Sequence, residues 1–173
     1  MFVELIATFV AGLAGAGAVM LVNRVLGGRL PRWATPVVAG MAMLTVIISN
    51  EYSWFSRTRD ALPEDVVIAQ TIESKAFYRP WTYVWPFVER FVAVDMATVR
   101  SHPQQPGVKL AEVYFFGRWS PVSKVPVLTD CPGLKRAALT DGISFESDGV
   151  VSGVEWVAVP SGDPVVSTIC GGG

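Results

Sequence analysis

Met1 to Phe55 constrains this chain more than any other stretch, because it holds two long apolar runs separated by a short basic loop. The first run, about Phe2 to Val22, carries Glu4 as its only charge. The second, about Trp33 to Phe55, is uncharged from Ala34 to Asn50. Roughly 20 apolar residues at 1.5 Å rise make a helix that crosses a hydrocarbon layer of about 30 Å. Trp33 at one end, with Tyr52, Trp54 and Phe55 at the other, sit where interfacial aromatic belts form. A soluble hairpin would show a polar stripe on each helix, and neither run has one. The predicted fold class is therefore a membrane protein. A two-helix transmembrane hairpin spans residues 1–55, and a mainly-β extracytoplasmic domain, with some helix allowed, spans residues 56–173.

Orientation follows from the loop at residues 23–32. Arg24, Arg29 and Arg32 lie there, while the N-terminal end offers Glu4 and no basic residue. Short arginine-rich loops stay cytoplasmic. This places both termini in the periplasm of a bacterial inner membrane, although Arg57 and Arg59 dilute the signal. Ala16-Gly17-Ala18 has the form of a signal-peptide cleavage site. The start lacks a basic n-region and the apolar run continues past the site, so both spans are expected to remain.

A stripe of small residues runs along the first span. Thr8, Gly12 and Ala16 fall four apart, as do Ala7, Ala11 and Gly15. Within lipid, close backbone approach at such stripes is what gains packing contacts. The stripe admits two occupants: the second span of the same chain, through Thr35, Ala39 and Ala42, or a membrane protein complex or second copy. The lipid bilayer is the remaining expected partner.

Composition limits the rest. The 173 residues are 51% hydrophobic, with mean hydropathy +0.41, and the hairpin accounts for the excess. Setting the loop arginines and Glu4 aside leaves 11 basic and 14 acidic residues, a charge near −3. So balanced a domain has no electrostatic footprint for nucleic acid.

After a polar connector from Arg57 to Pro63, runs rich in β-branched and aromatic residues predict strands over Val66–Ile72, Phe91–Val99, Val108–Trp119 and Val122–Leu128. Pro126 cannot donate to a central ladder, which assigns the last of these to an edge. Ser101–Gly107 reads as a loop and Leu134–Leu139 as a helical turn. Asp148-Gly149 predicts a hairpin between Ile143–Phe145 and Val150–Val159. A turn at Ser161–Pro164 then leads into a final strand, Val165–Cys170. The sum is a sheet or small sandwich of about six strands.

Two cysteines, Cys131 and Cys170, fall in this outer domain. An even pair on the oxidising side of a membrane predicts a disulfide. Catalytic signatures are absent: no G-x-S-x-G, Walker loop, G-x-G-x-x-G, H-E-x-x-H or C-x-x-C. His102 is the only histidine, too few for a metal site, and no cofactor is expected. Asp95 lies in an otherwise apolar strand, where a carboxylate needs a partner such as Arg90 or Arg100. The segment Phe77–Phe87 concentrates Phe77, Tyr78, Trp81, Tyr83, Trp85 and Phe87 around two prolines. Its rings serve either as core or as an outer docking surface centred on Trp81, Tyr83 and Trp85.

These features predict a non-catalytic accessory, assembly or scaffold subunit of a larger inner-membrane complex. It would bind through Thr8, Gly12, Gly15 and Ala16 in the hairpin and through the outer aromatic segment. The competing expectation is a membrane-tethered ligand-binding, sensor or enzymatic β domain, with Asp95 as its functional acid.

Overall fold

A computed structural model describes residues 2–77, 79–102, 105–139, 144–145, 151–152 and 154–171. The chain divides into two compact units, Met1–Asp60 and Ala61–Gly173.

The first unit is a helical hairpin of α1 (Phe2–Val25) and α2 (Ala34–Asp60). Both helices are long and apolar enough to cross a bilayer. The second continues five residues past the apolar run, through the charged segment to Asp60. Helix α1 ends where Gly27 (φ 68°) and Gly28 (φ 80°) take left-handed conformations that side chains resist. There the Gly28 amide reaches back to the Asn23 carbonyl at 2.8 Å, closing the last turn. The Asn23 side chain then accepts the Leu30 amide at 2.9 Å and fixes the loop.

Glu4, Thr8, Gly12, Gly15, Ala16 and Val19 are less exposed than Leu5, Phe9, Leu13 and Met20, so one stripe of α1 turns inward. Its occupant is α2. A methyl added at Gly12 would collide with the end of Met43, and one at Gly15 would lie 3.1 Å from Ala42 Cβ and 3.3 Å from the Val38 carbonyl. Helix backbones approach this closely only where side chains are missing.

The two glycines should respond differently. Met43 has a flexible terminus that can swing aside, so Gly12→Ala should be tolerated. Gly15→Leu meets backbone and should cost about 1–3 kcal/mol as overpacking. Thermal unfolding of the full chain in mild detergent checks this; equal midpoints for wild type and Gly15→Leu would refute the register.

The second unit is a curled antiparallel sheet. Its strands are β1 (Val66–Ser74), β2 (Phe87–His102), β3 (Gln105–Gly117), β4 (Ser120–Asp130), β5 (Lys135–Ala138) and β8 (Val157–Ala158), hydrogen-bonded in that order. Two short strands, β6 (Ser144–Phe145) and β7 (Val151–Ser152), pair separately. This fits the predicted hairpin, although Asp148-Gly149 itself lies outside the described residues. The predicted strand Val150–Val159 is instead divided: β7 pairs with β6, and β8 with β5.

Four further expectations are corrected. Val165–Cys170 is not a strand but part of helix α3 (Pro164–Gly171). Asp163 caps it, its Oδ1 accepting the amides of Val165 and Val166 at 3.1 Å each, and Pro164 supplies a preset first turn. Leu134–Leu139 is not a helical turn: Lys135–Ala138 pairs with Val127–Asp130. The loop at Ser101–Gly107 shrinks, because β2 runs to His102 and β3 starts at Gln105. Finally, β4 lies between β3 and β5 rather than at an edge. Pro126 is accommodated because β5 pairs only from Val127 onward. The Pro126 carbonyl accepts the Leu139 amide on that side, so its missing N–H faces the point where the ladder stops.

Alternation on β2 sends Val92 and Val94 to one face. There they join Ala111, Val113 and Val127 beneath Val165 and Ile169 of α3. Phe91 points to the other face, fully buried and stacked on Phe116 at 4.5 Å. The Cys131–Cys170 disulfide ties the end of α3 to the β4–β5 turn. Lys109 Nζ donates to the Ile169 and Cys170 carbonyls at 3.2 and 3.4 Å, a cation set on the helix's negative end.

Candidate functional site

Two surfaces of the β domain carry chemistry beyond folding. The first is the segment between β1 and β2. Ser74 pairs with Phe87, Arg90 with Gly117, and Gly117 with Ser120. The 75–86 connection and the β3–β4 turn therefore share one end of the sheet.

A single residue shapes that connection. Thr82 is buried, its Oγ1 accepting the Ala76 amide at 3.0 Å and donating to the Arg79 carbonyl at 2.7 Å. Pro80 opens a 3₁₀ turn, Pro80–Tyr83, whose tight winding turns the residues beside Thr82 outward. Trp81, Tyr83 and Trp85 are 40%, 60% and 67% exposed, and Phe77 and Val84 are also open. Trp119 and Val122, from the neighbouring turn and strand, are exposed at the same end. Two cations lie among the rings: Arg79 Cζ is 5.9 Å from the Phe87 ring centre, and Arg118 Cζ is 4.8 Å from that of Trp119. Among the described aromatic rings of the segment, only Phe87 joins the buried set.

The second surface is a cavity of about 690 Å³ on the α3 face of the sheet. Helix α3 covers part of that face, and the cavity occupies the remainder toward the aromatic end. Ile72, Phe115, Pro121, Val125 and Val157 form its open apolar lining over the buried Val92, Val113, Val127 and Val165, and Gln70, Arg90, Ser120, Ser123 and Arg136 supply polar groups. No carboxylate lines it among the described residues. Arg136 Nη1 bridges to Asp163 at 3.3 Å, whereas Arg90 is exposed and makes no ion pair among the described residues.

Asp95 belongs to neither surface. It is half-buried at a break in the β2–β3 register, its carboxylate accepting the Ala97 amide at 3.1 Å. Neither Arg90 nor Arg100 pairs with it among the described residues. The side chain shapes a bulge. His102 closes β2 at the hairpin, and its ring lies outside the described residues.

On the face opposite α3, Lys124 bridges to Glu112 and stands 5.6 Å from the Tyr114 ring centre. The hydrogen bond to Glu112, aided by the charges of Glu112 and Tyr114, holds the Lys124 pKa above the ordinary lysine value of 10.5. Lys124 therefore stays charged through neutral pH and gives up its proton only as pH rises beyond that value. Among the described residues, no group of three or more His, Cys, Asp or Glu could hold a metal ion.

Sequence reasoning singled out Trp81, Tyr83 and Trp85 but missed Arg90 and Arg136 as members of one cavity. Alternation with Val92 and Val94 already puts Arg90 on the α3 face. Bringing it together with Ser123 and Arg136 needs the strand registers. Comparison with family profiles, with curated proteins and with solved structures finds no match to this chain.

Proposed function

We propose that this protein is a membrane-anchored, non-catalytic accessory or scaffold subunit. Its β domain docks a partner in a larger inner-membrane complex through the aromatic end of the sheet. The observation that carries this reading is the cluster of Trp81, Tyr83, Val84 and Trp85 with Trp119, open to solvent at one end of the domain. Contiguous exposed apolar area of this kind marks interaction sites. Tryptophan, tyrosine and arginine are also the residue types that dominate binding energy. The small-residue stripe adds nothing here, because Gly12 and Gly15 pack against α2 of the same chain. In this reading α1 and α2 cross the bilayer, Arg24, Arg29 and Arg32 stay cytoplasmic, and the β domain is periplasmic. The disulfide supports that side, since such bonds persist in oxidising compartments.

Site-specific photocrosslinking in native membranes tests the proposal. A photoreactive residue at position 83 or 85 should give a discrete protein adduct, and one at Ser167 on α3 should not. Each anchor truncated, as in Trp81→Ala, should weaken the contact by roughly 2 kcal/mol, about thirtyfold. A monomeric chain with no protein adduct at either position would overturn the reading.

A further inference from the structure

We propose that the cavity on the α3 face binds a single-chain anionic amphiphile, its aliphatic chain on the apolar lining of Ile72, Phe115, Val125 and Val157 and its headgroup on Arg90. This site shares no residue with the aromatic docking cluster and stands whether or not that docking occurs.

Three observations select the ligand. The volume of about 690 Å³ falls within the roughly 300–1,000 Å³ of small-molecule pockets. Ile72, Phe115, Pro121, Val125 and Val157 offer an open apolar surface that gains nothing from a small hydrophilic anion. Among the described residues the charged groups at its border are guanidiniums only, so a cationic amphiphile would be repelled. A neutral one would cover Arg90 without a partner, which is costly.

Arg136 is already turned to Asp163. Among the described residues Arg90 is therefore the cation left to read the headgroup, and its planar fork matches a carboxylate or phosphate in two-point contact. Gln70 and Ser123 add neutral hydrogen-bonding groups. Carboxylate and phosphate headgroups share this chemistry, and competition separates them.

The test uses the full chain in nanodiscs of phosphatidylcholine, with a diazirine-bearing palmitate analogue as probe and adducts mapped by peptide mass spectrometry. Peptides from α1 and α2 act as internal reporters of probe dissolved in the bilayer. Adducts are expected on the β2 and β4 peptides. Dodecanoate or dodecyl phosphate should compete for them at least tenfold better than dodecanol or dodecyltrimethylammonium, and the stronger of the two anions names the headgroup.

Arg90→Gln should reduce strand adducts about tenfold while helix adducts stay constant, and Arg90→Lys should retain most of them. Ser123→Trp, a change at an exposed position, should fill the cavity and abolish them. Unfolding midpoints and the oxidised state of Cys131 and Cys170 report that each variant is folded, and Arg90→Gln decides alone if Ser123→Trp is not. Strand adducts that are missing at saturating probe, or equally competed by the alcohol and the cation, or unchanged in Arg90→Gln, would overturn the proposal.

Discussion

Replacing Cys131 and Cys170 together by serine should lower the stability of the β domain by about 4 kcal/mol in the chain-entropy account of disulfides. The bridge joins residues 39 apart in sequence, and removing it releases the entropy of that loop to the unfolded chain. The folded state loses as well. Helix α3 is only eight residues long, too short to persist alone. It is held by the Asp163 cap at one end, with Lys109 and the disulfide at the other. Freed at its C-terminus, it would expose Ile169 and uncover Val94, Ala111 and Val113, all fully buried. For a domain of this size, the loss corresponds to a fall in melting temperature of roughly 15 °C. Denaturant unfolding of the full chain in mild detergent, with and without reductant, measures it. Reductant should shift the wild type to the midpoint of the double serine variant and leave that variant unmoved. A wild type indifferent to reductant would show that the bridge contributes nothing.

Phe91→Ala should have an effect of similar size, about 3–5 kcal/mol as a large-to-small substitution. Phe91 has no exposed surface and stacks on Phe116, directly across the β2–β3 ladder, with ring centres 4.5 Å apart and planes 7° apart. Truncation empties the space of a ring and removes the partner of a second aromatic residue, itself worth about 0.5–1.5 kcal/mol. Phe91→Leu should cost distinctly less, because much of the apolar volume remains. In urea the midpoint should fall with little change in slope, since the surface exposed on unfolding is nearly the same. A Phe91→Ala protein as stable as the wild type would place the ring outside the core.

Between them the two changes probe opposite faces of one sheet, and only one of those faces could be foreseen. The disulfide follows from two cysteines in a domain read as extracytoplasmic. The pairing of Phe91 with Phe116 needs the β2–β3 register, which hydrophobic alternation does not set on its own, because both strands are apolar on both faces.

Chain-level features that depend on short-range chemistry were legible in the residues themselves. The two apolar runs specify helices α1 and α2, since runs of this length are far longer than typical strands. Runs of β-branched and aromatic residues specify β1 to β4. Pro80 and Pro86 specify that the aromatic segment departs from a regular strand.

The tertiary structure decided what local chemistry leaves balanced. Val165-Val166-Ser167-Thr168-Ile169-Cys170 is β-prone by propensity, yet it is helical, because the Asp163-Pro164 cap starts a helix. That helix sets Val165 and Ile169 onto the sheet's apolar face and buries Val166 as well, and burial of those three outweighs propensity. The Asp163-Pro164 pair carried that signal, although turn chemistry uses the same residues. Pro126 marks an edge in the sequence, and in the fold that edge is local, because β5 covers only the second half of β4. Which helix fills the glycine stripe, and which guanidiniums border the cavity, depend on contacts between residues far apart in the chain. Such contacts form only where total burial is greatest, and no window of neighbouring residues contains that information.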